Sequence, residues 1–279
     1  MNETTLRMLQ REELNMAKAV LSICEKHDIE VFALGGTLLG AVRHEGFIPW
    51  DDDLDLGMKR EDYERFLKVA PKELNAPYSL HTCYNDKNFL YPYARVQNAD
   101  YGLQRDYTTS KTVQDLWVDV FPLDGVPAKD TAARTVWEAT LTVLRGLRNL
   151  SCFSDLVNVE KDYFGAKAVL VELGKRTPIE NLLPTTLILK AIDRFLRFWS
   201  LDRCPNIGNP MGGHWFREVF PKDVYDDDVL LLFEDTSLPC PAGYETVLRT
   251  QYGDYMTLPP ESERDPHGTT LVRAPEERL

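Results

Sequence analysis

The sequence predicts an α+β fold, a mixed-sheet core with helices followed by a helical lobe. Over residues 1–128, short apolar or β-branched runs alternate with helical patterns. Residues 129–204 then read as helical throughout, and from about 205 Gly and Pro become frequent, so the segment 205–279 is expected to be loop-rich and to complete the core.

The elements follow in order. Leu6, Leu9, Leu14, Ala17, Val20, Leu21 and Cys24 recur at helical spacing, down to His27-Asp28. Residues 29–34 read as a strand, broken by Gly35-Gly36, after which Thr37 to Arg43 reads as a helical turn. A loop with Gly46 and Pro49 leads to a second strand over residues 53–58, and Glu61 to Ala70 is helical up to Pro71. Residues 78–121, rich in Tyr and Thr, read as strands and turns; the last strand, 116–121, is halted by Pro122. In the lobe, Ile188, Ile192, Phe195, Leu196 and Trp199 form one apolar stripe.

Composition excludes several classes. The chain has 279 residues, 43% hydrophobic and 27% charged, the balance of a protein with a full-sized core. A net charge of −12 argues against nucleic acid as a partner, since such binding needs a basic face. There is no apolar run of about 18 residues and no basic-then-apolar leader, so a cytoplasmic location is expected. Five scattered cysteines without a CxxC pair suggest neither a disulfide framework nor a zinc knuckle.

The chemistry concentrates at Asp51, Asp52, Asp53 and Asp55, directly after Trp50. Alternation along a strand puts Asp53 and Asp55 on one face, joined by Asp51 if the extended run starts early, while Leu54 and Leu56 turn to the core. Two carboxylates about 4 Å apart repel by roughly 4 kcal/mol at an effective dielectric near 20. A divalent cation is the common remedy where phosphate chemistry is done. Upstream, Gly35, Gly36 and Thr37 lie between a strand and a helix start, where backbone N–H groups can approach a phosphate. Asp119, between Val118 and Val120, is a further carboxylate in an apolar strand.

The stretch from Leu34 to Asp55 closely resembles the LicD family, which includes the catalytic region of fukutin-related protein. The resemblance continues in Arg60-Glu61-Asp62-Tyr63, in residues 117–122, and in residues 252–256 with Leu258-Pro259-Pro260. It implies a nucleotidyltransferase-like catalytic core with Mg²⁺ or Mn²⁺ at the acidic strand. Asp53 and Asp55 would be the main ligands, with Asp51 and Asp119 in support. It also implies transfer of a substituted phosphate, most often phosphocholine from CDP-choline, otherwise a polyol phosphate, to a glycan hydroxyl with release of CMP. The acceptors in the bacterial family are precursors of teichoic acid, lipopolysaccharide or related surface glycans.

On this reading Arg43 neutralises the leaving nucleotide, and Asp119 either accepts the acceptor's proton or bridges a second metal. Arg95 is a candidate phosphate contact, and His267, beside Arg264 and Asp265, a candidate in a late loop folding back on the site. Tyr91, Tyr93, Tyr101, Tyr107 and Trp117 are available to cage a choline headgroup, or else belong to the core. The run Asp226-Asp227-Asp228 reads as a solvated turn. The lobe carries 12 Lys/Arg against 9 Asp/Glu over residues 129–203, which suits peripheral contact, through Arg194 and Arg197, with the inner face of the cytoplasmic membrane. Two rivals stay open: a true nucleotidyltransferase that releases pyrophosphate, and an inactive binding or scaffold protein.

Overall fold

The computed structural model describes residues 2–110, 112–158, 165–176, 182–261, 264 and 268–275. Helix α1 (Glu3–Lys26) starts at Asn2, whose side chain accepts from Thr5 N at 2.8 Å, and buries Leu9, Met16, Ala17 and Val20 completely. Then come β1 (Phe32–Ala33), α2 (Gly35–His44), β2 (Asp55–Lys59), α3 (Arg60–Glu73), β3 (Tyr78–His81), β4 (Ala94–Arg105) and β5 (Val113–Val126). The lobe holds α4 (Ala132–Ser151), α5 (Phe153–Leu156), α6 (Gly165–Arg176) and α7 (Thr185–Arg197). The remainder forms β6 (Asn206–Gly208), β7 (Val219–Pro221), β8 (Asp228–Phe233), β9 (Thr236–Pro241), α8 (Tyr244–Tyr252) and β10 (Thr269–Arg273).

These strands make an α+β fold around one mixed sheet in the order β1-β2-β5-β4-β10. β2 and β5 run parallel, while β5, β4 and β10 pair antiparallel. β3 pairs with β4, β6 and β7 continue from the end of β5, and β8 and β9 form a separate hairpin. Helices α1 and α3 pack on the sheet, and α2 lies between β2, β8 and α8. The core beneath them includes Phe32, Leu38, Leu54, Leu56, Phe66, Val118 and Val120.

Several expected boundaries move. The strand expected over 29–34 shortens to two residues, and α2 begins at the glycines instead of after them. Helix α3 passes Pro71 and closes with Leu74 N on Ala70 O at 2.9 Å. Strand β5 passes Pro122, because that residue lies where pairing with β4 has ended at Val120 and pairing with β6 begins at Asp124. The tail is more regular than a loop-rich segment: its strands are short and interrupted by proline, and β6 and β10 extend the sheet.

The lobe has its own apolar cluster of Trp137, Leu141, Ile188, Ile192 and Leu196, which reaches the sheet at Val126. It is also tied to the core by charge. Arg60 of α3 donates to both oxygens of Asp124 in β5, at 2.7 and 2.6 Å, and to Asp193 of α7 at 2.9 Å. Arg197 is paired with Asp193 and Glu64, and both Arg194 and Arg197 are exposed. Among the described residues no helix is long and apolar enough to cross a membrane.

Candidate active site

A cleft of about 830 Å³ opens where the motif loop, the ends of β2 and β5, α8 and the loop between β6 and β7 meet. Its acidic wall carries Asp51, Asp53, Asp55 and Asp119. The parallel pairing of β2 with β5 sets Asp55 and Asp119 in register, and Leu54 O accepts from Asp119 N at 3.1 Å. As expected from alternation, Leu54 and Leu56 are fully buried while Asp53 and Asp55 are partly exposed to the cleft. Asp52 turns the other way, into the protein, where it accepts from Thr269 Oγ1 at 2.6 Å.

Local packing fixes the acidic loop. Gln10 of α1 donates to the carbonyls of Ile48 (3.4 Å) and Asp51 (2.7 Å). Thr37 is buried and its hydroxyl accepts from Asp55 N at 2.8 Å, so it braces the start of β2 and does not line the cleft. Gly35 and Gly36 do line it. Gly35 has φ +50°, a left-handed conformation suited to glycine, and a Cβ at Gly36 would lie 2.5 Å from Asp51 Oδ2. The absence of side chains here is what lets the first turn of α2 meet the carboxylates.

Burial first, then the charges of Asp53, Asp119 and Asp51, hold the Asp55 carboxyl well above the usual range. The Asp119 carboxyl is also pushed up by burial, against the opposing pull of Arg95. Arg95 is placed behind Asp119 and not as the phosphate contact expected from its strand. It is 2% exposed and donates to both oxygens of Asp119, from Nε at 2.6 Å and from Nη2 at 3.2 Å. Its guanidinium lies 3.5 Å from the centroid of Tyr91 and 4.2 Å from that of Trp117. Those two faces are therefore occupied by the protein's own cation, and Tyr101 belongs to the core. Tyr107 lines a smaller side pocket beside Arg95, and Tyr93 borders both spaces.

The opposite wall holds Arg43, whose Nη1 donates to Tyr255 O at 2.7 Å and whose pKa is lowered by burial. Arg264 stands near enough to lower it further and lies over Trp50 at 5.2 Å. His267 and Asp265 lie outside the described residues. Asp226, Asp227 and Asp228 are exposed, as expected of a solvated turn.

Three features were missed by sequence reasoning. Glu218, His214 and Asn209 line the cleft from the loop between β6 and β7, and the one local signal near them is the glycine pair Gly212-Gly213 just before His214. Glu13 of α1 is 1% exposed, and burial followed by the charges of Asp53, Asp52 and Asp51 raises its pKa well above the usual range. Tyr252 sits between the acids and Glu218, and its pKa is raised by burial and then by Asp51, Asp55 and Glu218. Among the described residues, no group of three or more His, Cys, Asp or Glu side chains is drawn close enough, as the side chains stand, to hold a metal ion. The carboxylates of Asp51, Asp53, Asp55 and Asp119 face the cleft, and hard oxygen donors of this kind suit Mg²⁺ or Mn²⁺.

Residues 28–142 match the family described as LicD/FKTN/FKRP, nucleotidyltransferase domain. The chain is 30% identical over 270 residues to the lipopolysaccharide cholinephosphotransferase LicD of Haemophilus influenzae, covering 96% of this chain and 97% of that protein. It is 32% identical over 116 residues to the human ribitol 5-phosphate transferase FKRP, covering 41% of this chain and 21% of that protein. An uncharacterized protein of Rickettsia typhi is 44% identical over 57 residues, covering 20% of this chain and 18% of that protein.

Proposed function

The chain belongs to the LicD family, and on that premise we propose that it is an enzyme transferring a substituted phosphate from a CDP-activated donor to a hydroxyl of a cell-surface glycan precursor. Phosphocholine from CDP-choline is the favoured donor group. The relative that matches almost end to end is a cholinephosphotransferase, whereas the ribitol-phosphate relative matches over 41% of this chain. Lipopolysaccharide, in that first relative's name, is the acceptor to try first.

The observation that carries this reading is the meeting of Asp51, Asp53, Asp55 and Asp119 with Gly35 and Gly36 on one cleft. Asp53 and Asp55 would hold Mg²⁺ or Mn²⁺, supported by Asp51 and Asp119. Such an ion, when bound, neutralises charge on a pyrophosphate and makes its phosphorus more electrophilic. The N–H groups of the first turn of α2 have no intrahelical acceptor and are available to donor oxygens. Arg43 and Arg264, two cations set close together, suit the phosphate of the departing CMP. Asp119, held through both oxygens by Arg95, keeps its place midway along β5. A nucleotidyltransferase-like arrangement of the sheet and a cytoplasmic or inner-membrane-face location belong to the same proposal.

Thermal unfolding with Mg²⁺ and a panel of CDP-choline, CDP-ribitol, CDP-glycerol, CTP and ATP tests it. A ligand at about 100 times its dissociation constant stabilises the fold by roughly 2.7 kcal/mol. A shift with one CDP ester, and CMP as the product, would support the reading. Shifts with CTP or ATP alone and pyrophosphate as product would replace it by nucleotidyl transfer, and no shift at all would favour a binding protein.

A further inference from the structure

We propose that Glu218, and not Asp119, takes the proton from the attacking acceptor hydroxyl, an assignment that rests on the transferase reading above. Glu218 follows the short helical turn Trp215–Arg217 and precedes β7, on the side of the cleft facing the acidic strand. Its side chain folds back inside its own loop and accepts from His214 N at 2.7 Å, with Asn209 as a second hydrogen-bonding partner. The carboxylate packs against Gly212, where a Cβ would collide with both of its oxygens. This leaves a preorganised carboxylate, 6% exposed, whose remaining surface opens on the cleft.

Asp119 is a poor proton acceptor for a structural reason. Both of its oxygens receive hydrogen bonds from Arg95, which is itself buried between Tyr91 and Trp117. A proton on Asp119 would leave a buried guanidinium without its partner. Among the described residues Glu218 has no such partner. Arg145 of α4 acts on it from a distance while its own guanidinium is held by the carbonyls of Pro210 and Gly212 and stacked on Trp215. Burial and Arg217 lower the His214 pKa, Tyr225 and Tyr252 add no cation, and Asp55 is an acid near enough to feel the Glu218 charge. Burial pushes the Glu218 carboxyl up to about 7, the range in which a base both holds and releases a proton at neutral pH.

The step balances simply. The acceptor oxygen forms a bond to the phosphorus that carries the substituent, its proton passes to the Glu218 carboxylate, and the bond from that phosphorus to the bridging oxygen breaks. The electron pair leaves with CMP, and Glu218 later loses the proton to solvent.

The test measures CMP release and phosphocholine transfer from CDP-choline to lipopolysaccharide with Mg²⁺ across pH 5–9. CDP-ribitol and CDP-glycerol run in parallel, each with the melting temperature and the donor-induced thermal shift. Wild type is expected to show a rate that climbs with pH through about 7 and levels above. Glu218→Gln, which keeps an acceptor for His214 N, is expected to fall about 100-fold or more and to lose that climb, with a cooperative melting transition and the donor shift retained. Glu218→Asp, retaining a carboxylate on a shorter stem, is expected to keep the climb at a reduced rate. If Glu218→Gln keeps both its rate and its pH profile, the assignment is overturned while the transferase reading stands. If it loses its fold or its donor shift, Glu218 is a loop-holding residue and the assignment is likewise overturned. If wild type transfers nothing from any of the three donors, the transferase reading itself falls, and the assignment with it.

Discussion

Replacing Arg95 by Met is expected to destabilise the protein by about 3–5 kcal/mol at pH 7. Arg95 and Asp119 are 2% and 5% exposed, and the pair is joined by two hydrogen bonds, so removing the cation strands a charge in the interior. Met keeps an unbranched stem to fill the space between Tyr91 and Trp117, which confines the loss mainly to the charge. The sign of the pH dependence follows. Burial already raises the Asp119 carboxyl, and without the opposing pull of Arg95 its folded pKa climbs further above the unfolded value of about 3.9. Between those two pKa values the folded state binds more protons than the unfolded one, so stability falls as pH rises. The deficit of the variant should therefore be larger at pH 7 than at pH 5. Urea titrations of both proteins at the two pH values check this, and Asp119→Asn added to Arg95→Met should recover much of the loss. A deficit below about 1 kcal/mol, or one that is equal at both pH values, would refute the buried pair as the support of this strand.

Further outcomes are expected around the same cleft. Asp55→Asn removes one of several mutually repelling carboxylates, so the metal-free protein should melt a few degrees higher, about 2–4 °C per kcal/mol gained, while losing the Mg²⁺-dependent donor shift. In Gly36→Ala the new methyl would lie 2.5 Å from Asp51 Oδ2 and must displace that carboxylate; calorimetry should show Mg²⁺ affinity reduced about tenfold, with stability changed by less than about 1 kcal/mol. Glu218, held at about 7 in the folded state against roughly 4.3 unfolded, binds a proton more tightly when folded, so its contribution to stability is greatest at low pH and is lost as pH rises through the folded value. A melting-temperature scan from pH 5 to 8 should slope downward for wild type and flatten in Glu218→Gln.

The acidic wall was legible because strand alternation is a local rule. Asp53 and Asp55 face the cleft and Leu54 and Leu56 the core, as a period of two requires. The family resemblance set Asp119 beside Asp53 and Asp55, but its register opposite Asp55 was not legible, since nothing local records which strands lie side by side across more than sixty residues. Arg95 shows the same limit: a strand pattern places it on a face, but only the folded sheet reveals Asp119 in register opposite it and the two rings that hold it. Glu218 carried no signal, because its role comes from a loop brought across the cleft by β6 and β7. Elements broken by proline were underestimated for a related reason. Proline reads as a stop in one dimension, whereas β5 tolerates it at Pro122, which pairs with β2 on one side and falls between the β4 and β6 pairings on the other.

Two buried acids outside the cleft, Asp124 and Asp193, are neutralised by arginine, which sharpens what the cleft requires. Asp124 and Asp193 share Arg60, and Asp193 also has Arg197. In the cleft Asp119 has Arg95, but among the described residues neither Asp55 nor Glu218 has a lysine or arginine within ion-pair distance, and neighbouring acids raise Asp55. A donor pyrophosphate brings further negative charge to this wall. Arg43 and Arg264 on the opposite side offset part of it, yet two unit charges about 4 Å apart still repel by roughly 4 kcal/mol at an effective dielectric near 20, close to a thousandfold in affinity. Donor binding should therefore be tightly linked to a divalent cation. Titrating CDP-choline with excess EDTA in place of Mg²⁺ is expected to weaken binding by at least about a hundredfold and to abolish the thermal shift. Comparable affinity with and without the cation would mean that the acids do not face the donor phosphates, and the orientation of the donor in the cleft would have to be reversed.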